Sequence, residues 1–101
     1  MATTITTSAD GRNIKAAVPA GETSTPIMVG QLVTIVCSPG AGGTMLAEAT
    51  WSSRDDVNAN TARWLSWDAG TTSSRIAQRL AEATAVRFTA TGAAGVGEVA
   101  R

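Results

Sequence analysis

The alternation of apolar and polar residues is clearest near the C-terminus. Residues 83–91 include three apolar positions that alternate with polar ones, which is typical of a strand with one buried face. Gly92 and Gly95 follow, and glycine readily adopts the positive φ angles of a tight turn. The pattern predicts a β-hairpin in which residues 95–100 form the second strand. In its register Phe88 faces Val99, Thr89 faces Glu98, and Arg87 lies diagonal to Glu98.

The N-terminal part of the chain predicts a second hairpin. The Thr-rich residues 3–7 and the alternating residues 13–18 flank Asp10-Gly11, a dipeptide that is favoured in two-residue turns. In this hairpin we expect Ile5 and Ile14 to face inward.

The middle of the chain predicts a central hairpin. Residues 31–37 are apolar on nearly both faces, as is typical of a strand that is covered on both sides, or of one with one face in the core and the other in a subunit contact. The glycine-rich residues 38–43 then form a loop. Residues 44–51 alternate again, with Met45 and Trp51 on the buried side. We predict that these two strands pair with each other.

The segments between the predicted hairpins carry weaker patterns. Residues 52–62 are polar and irregular, and they predict the longest exposed loop, which precedes a short strand at 63–68. Further on, Ile76 and Leu80 are four residues apart and serines precede them. This spacing predicts a short helix or an ordered loop over residues 73–82.

Length and composition indicate one domain, residues 1–101, because 101 residues leave no room for a second. Abundant Val, Ile and Thr favour strands. Six to eight short strands at regular spacing predict an all-β, mainly antiparallel fold. We expect a small β-sandwich or a jelly-roll-like barrel, with one short helix near residues 73–82.

The distribution of charge argues against two classes of partner. Eight basic residues are scattered along the chain and balanced by eight acidic ones, so no basic run can follow a phosphate backbone and we expect no nucleic-acid partner. No segment approaches the roughly 20 apolar residues that cross a bilayer. The first residues lack the features of a signal peptide. We therefore expect a cytoplasmic site of synthesis and no membrane partner.

The inventory of reactive side chains predicts a protein that is not an enzyme and has no cofactor. The chain has no histidine, so catalytic sites of the Ser-His and Cys-His types and imidazole metal sites are absent. Cys37 is the single cysteine and lies in an apolar run, as is typical of a buried thiol. Residues 40–43 are rich in glycine, but no Lys-Ser or Lys-Thr follows them, so they do not form a phosphate-binding loop.

One polar segment invites a metal hypothesis. Asp56, Asn58 and Asn60 place oxygen-bearing side chains at every second position, as a calcium loop does at its start. Thr61 then stands where the turn glycine is expected, and Trp67 stands where the closing acid is expected. We interpret the segment as a solvated loop, and these three residues form the calcium candidate.

Two tryptophans are candidates for binding. Trp64 and Trp67 are three residues apart, which places them on opposite faces of a strand. We expect one of them to join Trp51 in the core and the other to be exposed. An exposed tryptophan beside a polar loop can anchor a protein interface or stack on a sugar ring. Core packing, an interface and sugar binding all stay open for this pair.

Four segments together resemble a known class of protein. They are the Thr-rich start, Pro-Gly-Ala-Gly-Gly at 39–43, Trp-Leu-Ser-Trp-Asp-Ala-Gly at 64–70, and Thr-Ala-Val-Arg-Phe-Thr-Ala-Thr-Gly at 84–92. In these features the chain resembles the small β proteins that tailed bacteriophages encode among their head and tail structural genes. The resemblance implies a virion accessory protein: a capsid decoration (cement) protein, a head-fibre subunit or a tail component. Such proteins commonly occur as trimers or other symmetric copies.

The resemblance and the two-faced apolar strand lead to one main expectation. We expect a non-enzymatic structural protein of the virion that is made in the host cytoplasm and binds copies of itself and a major capsid or other virion protein. The interface candidates are Leu32, Val36, Trp64 and Trp67. The alternative is a carbohydrate-binding module that uses an exposed tryptophan and the 52–62 loop.

Overall fold

The computed structural model describes residues 4–101 and contains two antiparallel β-sheets that pack face to face. The elements in chain order are β1 (Thr4–Thr7), β2 (Asn13–Val18), β3 (Ile27–Met28), β4 (Val33–Ser38), β5 (Thr44–Thr50), α1 (Arg54–Asn58), β6 (Leu65–Ser66), β7 (Ile76–Leu80), β8 (Ala85–Thr91) and β9 (Gly95–Ala100). The five-stranded sheet has the order β1-β2-β9-β4-β7, and the four-stranded sheet has the order β3-β8-β5-β6. The predicted all-β, mainly antiparallel fold is confirmed, in its sandwich form.

The core lies between the sheets and follows the alternation of the strands. In β4 the side chains of Val33, Ile35 and Cys37 are buried, whereas the residues between them are half-buried. The four-stranded sheet contributes alternate residues of β5 and β8, among them Phe88, which is fully buried. Successive side chains of a strand point to opposite faces, so the inward half of each sheet forms one apolar layer.

The N-terminal hairpin is present, since β1 pairs with β2. Ile14 faces inward as predicted and is buried. Ile5 pairs with the buried Ala16 and so also lies on the inner side of its sheet as predicted, but it is 41% exposed because β1 is an edge strand. Thr3, the predicted first residue of this strand, lies outside the described residues.

The turn of this hairpin is held by one carboxylate. Asp10 accepts hydrogen bonds from the Ser8 hydroxyl at 2.6 Å and from the backbone N–H of Arg12 at 3.1 Å. Both bonds favour the charged form and lower the pKa of Asp10 below its usual value, the bond from Ser8 having the larger effect.

The C-terminal and central hairpins predicted from the sequence are both wrong. β8 pairs with β3 and β5, whereas β9 pairs with β2 and β4 in the other sheet. β4 and β5 also lie in different sheets. Each glycine-rich connection, residues 39–43 and residues 92–94, therefore carries the chain from one sheet to the other.

Close packing between these two connections requires glycine. A Cβ atom on Gly43 would lie 2.8 Å from the Cβ of Ala93, and one on Gly40 would overlap the carbonyl oxygen of Ala94. The glycines that predicted tight hairpin turns instead let two backbone segments approach each other at one end of the sandwich.

The inward glycines of β9 have a related role. Gly95 and Gly97 are buried, and a Cβ atom on Gly97 would overlap the ring of Phe88, lying 2.5 Å from its Cδ1 atom. Phe88 therefore does not lie beside Val99 in a hairpin. It reaches across the core and occupies the space that the missing side chain of Gly97 leaves.

The ion pairs follow the observed pairing of the strands. Arg87 does not pair with Glu98 as predicted; its Nε lies 3.0 Å from Oε1 of Glu48 on the neighbouring strand β5. Glu98 lies on the outer face of the five-stranded sheet, 3.9 Å from Lys15 and 3.9 Å from Arg75.

Residues 73–82 contain strand β7, so the predicted helix is wrong. β7 pairs with β4 at the edge of the five-stranded sheet, with Ile76 opposite Cys37 and Leu80 opposite Val33. Ile76 and Leu80 are four residues apart. This spacing places two side chains on the same face of a strand, which has a period of two, as well as on the same face of a helix. Within residues 4–101, α1 alone is helical, and no helix there has the length and apolar character needed to cross a membrane.

Candidate interaction site

The positions of the three tryptophans match the prediction in part, since one of the pair Trp64 and Trp67 lies in the core as predicted but Trp51 does not. Trp67 is 5% exposed and belongs to the core, Trp64 is half-buried, and Trp51 is 50% exposed. The prediction that Trp51 fills the core is wrong, because β5 ends at Thr50 and the chain leaves the sheet there. Trp51 is thus the tryptophan most open to a partner.

The indole ring of Trp51 is anchored although it is exposed. Its Nε1–H donates a hydrogen bond to the carbonyl oxygen of Glu82 at 2.5 Å. The buried Trp67 is held in the same way by the carbonyl of Gly70, at 2.6 Å. A ring whose polar edge is fixed presents its apolar faces in one orientation.

Trp64 is already engaged within the protein. The guanidinium carbon of Arg87 lies 4.3 Å from the centroid of the Trp64 ring, within the range of a cation–π contact. Arg87 points outward from the four-stranded sheet, so the segment that carries Trp64 runs over the outer face of that sheet. This contact removes much of the ring from solvent.

One side of the sandwich is open. β6 ends the four-stranded sheet and β7 ends the five-stranded sheet, and within residues 4–101 neither strand has a neighbour on its outer edge. A cavity of about 310 Å³ lies between them, with apolar walls that include Ile35, Trp67 and Leu80. Leu65 on β6 stands at this cavity with 62% of its surface exposed. We call this region the open side.

A groove of about 530 Å³ also borders Trp51. Because Trp51 lines the cavity of the open side as well, it forms the wall between that cavity and the groove. Residues 28–30 and 82–84 also line the groove. Three residues that carry charge, Arg54, Glu82 and Arg101, are among those that line it. We call this region the Trp51 groove. Sequence analysis missed it because Trp51 was assigned to the core.

Residues 52–62 are not the irregular loop that was predicted, since they contain α1. Ser53 is the N-cap of α1, and its hydroxyl accepts a hydrogen bond from the backbone N–H of Asp56 at 3.2 Å. The sequence signal for this start is Ser53 followed three residues later by Asp56, the spacing of a capping box.

Asn60 lies just after the end of α1 and terminates the helix. The φ angle of Asn60 is 60°, the left-handed conformation that terminates many helices. The N–H of Asn60 donates to the carbonyl of Val57 at 3.2 Å, and the N–H of Thr61 donates to the carbonyl of Asp56 at 2.8 Å. These two bonds are those of a Schellman motif.

The calcium candidates are therefore parts of a capped helix. Asp56 uses its carboxylate to accept a hydrogen bond from the Thr61 hydroxyl at 3.0 Å. Asn58 lies two residues further along α1, and side chains two apart on a helix diverge. Within residues 4–101, no group of three His, Cys, Asp or Glu side chains is placed to hold a metal ion.

The interface candidates from the sequence do not form one surface. Trp67 lies in the core, and Leu32 is 51% exposed just before β4. Val36 lies on the outer face of the five-stranded sheet, whereas Trp64 lies over the outer face of the four-stranded one. No single flat partner can contact Val36 and Trp64 together.

Cys37 is buried as predicted. Burial in the core raises the pKa of its thiol to about 12, because the thiolate cannot be solvated there. The thiol is therefore neutral and shielded at neutral pH.

Trp51 and the open side are thus the exposed features from which a function is inferred. No protein family, curated protein or solved structure matches this chain.

Proposed function

We propose that this protein is a non-enzymatic structural protein of a phage particle, a subunit that binds copies of itself and a larger protein shell. The observation that supports this most directly is the open side of the sandwich. There, Leu65 exposes 62% of its surface beside strands that lack an outer neighbour within the described residues. An apolar side chain next to an unpaired strand edge is the kind of surface that a second chain covers.

The edge strand β7 suits pairing with another copy. It has five residues and no proline, so the alternate backbone N–H groups that point away from β4 can donate to a partner strand. Closed symmetry, as in a trimer or another symmetric oligomer, covers such an edge in every copy. The sequence resemblance to phage structural proteins supports the virion as the site of this assembly.

The outer face of the five-stranded sheet is a second surface suited to a protein partner. The single acid at its centre, Glu98, lies between Lys15 and Arg75, so its charge is balanced locally. Val36 and Ala77 continue the same row across the sheet. The small side chains at the centre of this face, such as Val36 and Ala77, allow a shell protein to approach the sheet closely.

Native mass by light scattering after size exclusion, at micromolar concentration, tests this proposal. The wild type is expected to form a discrete trimer or larger closed oligomer. Leu65→Ser is expected to lower the mass. Leu32→Ser is the matched control, because Leu32 is also an exposed leucine but lies outside the open side.

Two outcomes contradict the proposal at different levels. If Leu32→Ser dissociates the oligomer and Leu65→Ser does not, the open side is not the interface. A wild-type protein that is monomeric and also fails to co-sediment with phage particles refutes the structural function itself.

A further inference from the structure

We infer that the Trp51 groove is a carbohydrate-binding site that takes a neutral sugar ring. This inference goes beyond the structural function proposed above and does not depend on it. It rests on the exposed tryptophan and on the hydrogen-bond donors and acceptors among the residues that line the groove with it.

Trp51 supplies the platform. Half of its surface is exposed, and the hydrogen bond from its Nε1 to the carbonyl of Glu82 holds the ring in place. The C–H face of a sugar ring is apolar and packs against an indole face. Because the ring is already ordered, binding costs little additional side-chain entropy.

The charged side chains supply the hydrogen-bonding groups. Within residues 4–101, the side chains of Arg54 and Glu82 make no hydrogen bond or ion pair. Arg101 makes one long hydrogen bond, 3.5 Å, to the carbonyl of Met28. A guanidinium only donates and a carboxylate only accepts, whereas a sugar hydroxyl does both. A sugar hydroxyl can therefore pair with either kind of side chain.

The mixture of charges favours a ligand that both donates and accepts hydrogen bonds. Glu82 lines the groove together with Arg54 and Arg101, and a phosphate, which only accepts, can pair with the arginines but leaves the carboxylate without a partner. Single-stranded nucleic acid also needs successive aromatic platforms, and the groove has one. A neutral ligand with both donors and acceptors satisfies all three charged groups.

The local fold brings platform and donor together. Trp51 and Arg54 are three residues apart, and the N-cap Ser53 lies between them and starts α1 at Arg54. The groove, at about 530 Å³, is within the size range of small-ligand sites, roughly 300–1,000 Å³. It can hold one or two sugar rings.

Titration with three tetrasaccharides tests the site: the β-1,4-linked N-acetylglucosamine tetramer, maltotetraose and cellotetraose. Binding is followed by isothermal calorimetry and by the fluorescence of the tryptophans. At least one probe is expected to bind the wild type. Trp51→Ala is expected to weaken its affinity about tenfold or more, since the stacking platform is lost.

Glu82→Gln and Trp64→Phe complete the design. Glu82→Gln is expected to weaken binding because a neutral amide replaces the carboxylate acceptor, while the carbonyl that anchors Trp51 is unchanged. Trp64→Phe is the matched control, since Trp64 lies outside the groove. The affinity of this variant for the bound tetrasaccharide should equal that of the wild type. The inference is overturned if none of the three probes binds the wild type, or if the bound probe keeps its affinity in Trp51→Ala. Either result leaves the Leu65 test of self-association intact.

Discussion

Replacing Gly97 with alanine tests whether the two sheets meet as the structure describes. Gly97 lies in the middle of β9, between Ala16 of β2 and Cys37 of β4. The added Cβ atom would lie 2.5 Å from Cδ1 of Phe88, whereas ordinary contacts of a Cβ atom lie at 3.4–4 Å. Phe88 has no exposed surface, so its ring cannot turn out of the way into solvent.

The size of the effect follows from the balance of two terms. Overpacking a core costs about 1–3 kcal/mol, and occasionally more; we expect a value of about 3 kcal/mol because the neighbour is a rigid, fully buried ring. The loss of glycine's freedom in the unfolded chain offsets about 0.4–1 kcal/mol. The free energy of unfolding of the variant should therefore be roughly 2–3 kcal/mol lower than that of the wild type, which lowers Tm by roughly 10–20 °C.

Urea and thermal unfolding, followed by circular dichroism, measure this loss. Gly95→Ala is the matched control, because Gly95 lies on the same face of β9 and its added Cβ would meet the sulfur of Met45 at 2.5 Å. Met45 is buried as well, and the carbonyl oxygen of Ser38 lies 3.2 Å from this Cβ, but a thioether side chain is more flexible than a ring, so this change should cost less than Gly97→Ala, about 1–2 kcal/mol. When Phe88→Leu is added to Gly97→Ala, the double variant should recover part of the stability that Gly97→Ala loses.

The reasoning is refuted if Gly97→Ala is as stable as Gly95→Ala. It is also refuted if the two changes at Gly97 and Phe88 add without any coupling, since a direct clash between them requires coupling.

Three further predictions concern the core thiol, the end of α1 and the packed connections. The pKa of the Cys37 thiol is about 12 in the folded protein and ordinarily 9.0, so the contribution of the neutral thiol to stability is complete below pH 9 and is lost as the pH rises towards 12. The difference in free energy of unfolding between the wild type and Cys37→Ala, measured in urea, should shrink between pH 9 and 12, and a constant difference contradicts the burial of this thiol. Asn60 has a φ angle of 60°, so Asn60→Val should destabilise the protein by about 1–2 kcal/mol while Asn60→Gly leaves its stability nearly unchanged; equal thermal unfolding of the two variants argues against the left-handed end of α1. Gly43→Val should lower Tm more than Gly42→Val, because a Cβ at Gly43 meets Ala93 whereas one at Gly42, although strained at a φ of 79°, meets nothing within 4 Å; the reverse order, measured by calorimetry, means that the connections at 39–43 and 92–94 do not pack together.

Strand positions were predictable because alternation is a local property. The strands β2, β4, β5, β8 and β9 lie close to where the sequence pattern places them. In each, apolar residues at every second position point to one face whatever the partner strand is. The first hairpin was also predictable, because the Asp10-Gly11 turn determines it within a few residues.

The binding features were harder to predict. Alternation in β5 assigned Trp51 to the core, but the strand ends one residue earlier and the chain turns away to α1. The Ser53-x-x-Asp56 spacing was a sign of this turn. The exposure of Leu65 could not be inferred, because it depends on β6 being an edge strand.

The sequence by itself determined the class of fold, the face that each main strand buries and the turn at Asp10-Gly11. Tertiary structure alone decided which strands share a sheet, that residues 73–82 form β7, and which tryptophan faces solvent. A glycine-rich connection suits both a tight turn and a close crossing of backbones, and a spacing of four suits both a strand and a helix. Only the packing of residues distant in the chain, such as Phe88 over Gly97 and Ala93 against Gly43, separates these alternatives, because its free energy exists only when both sheets are in place.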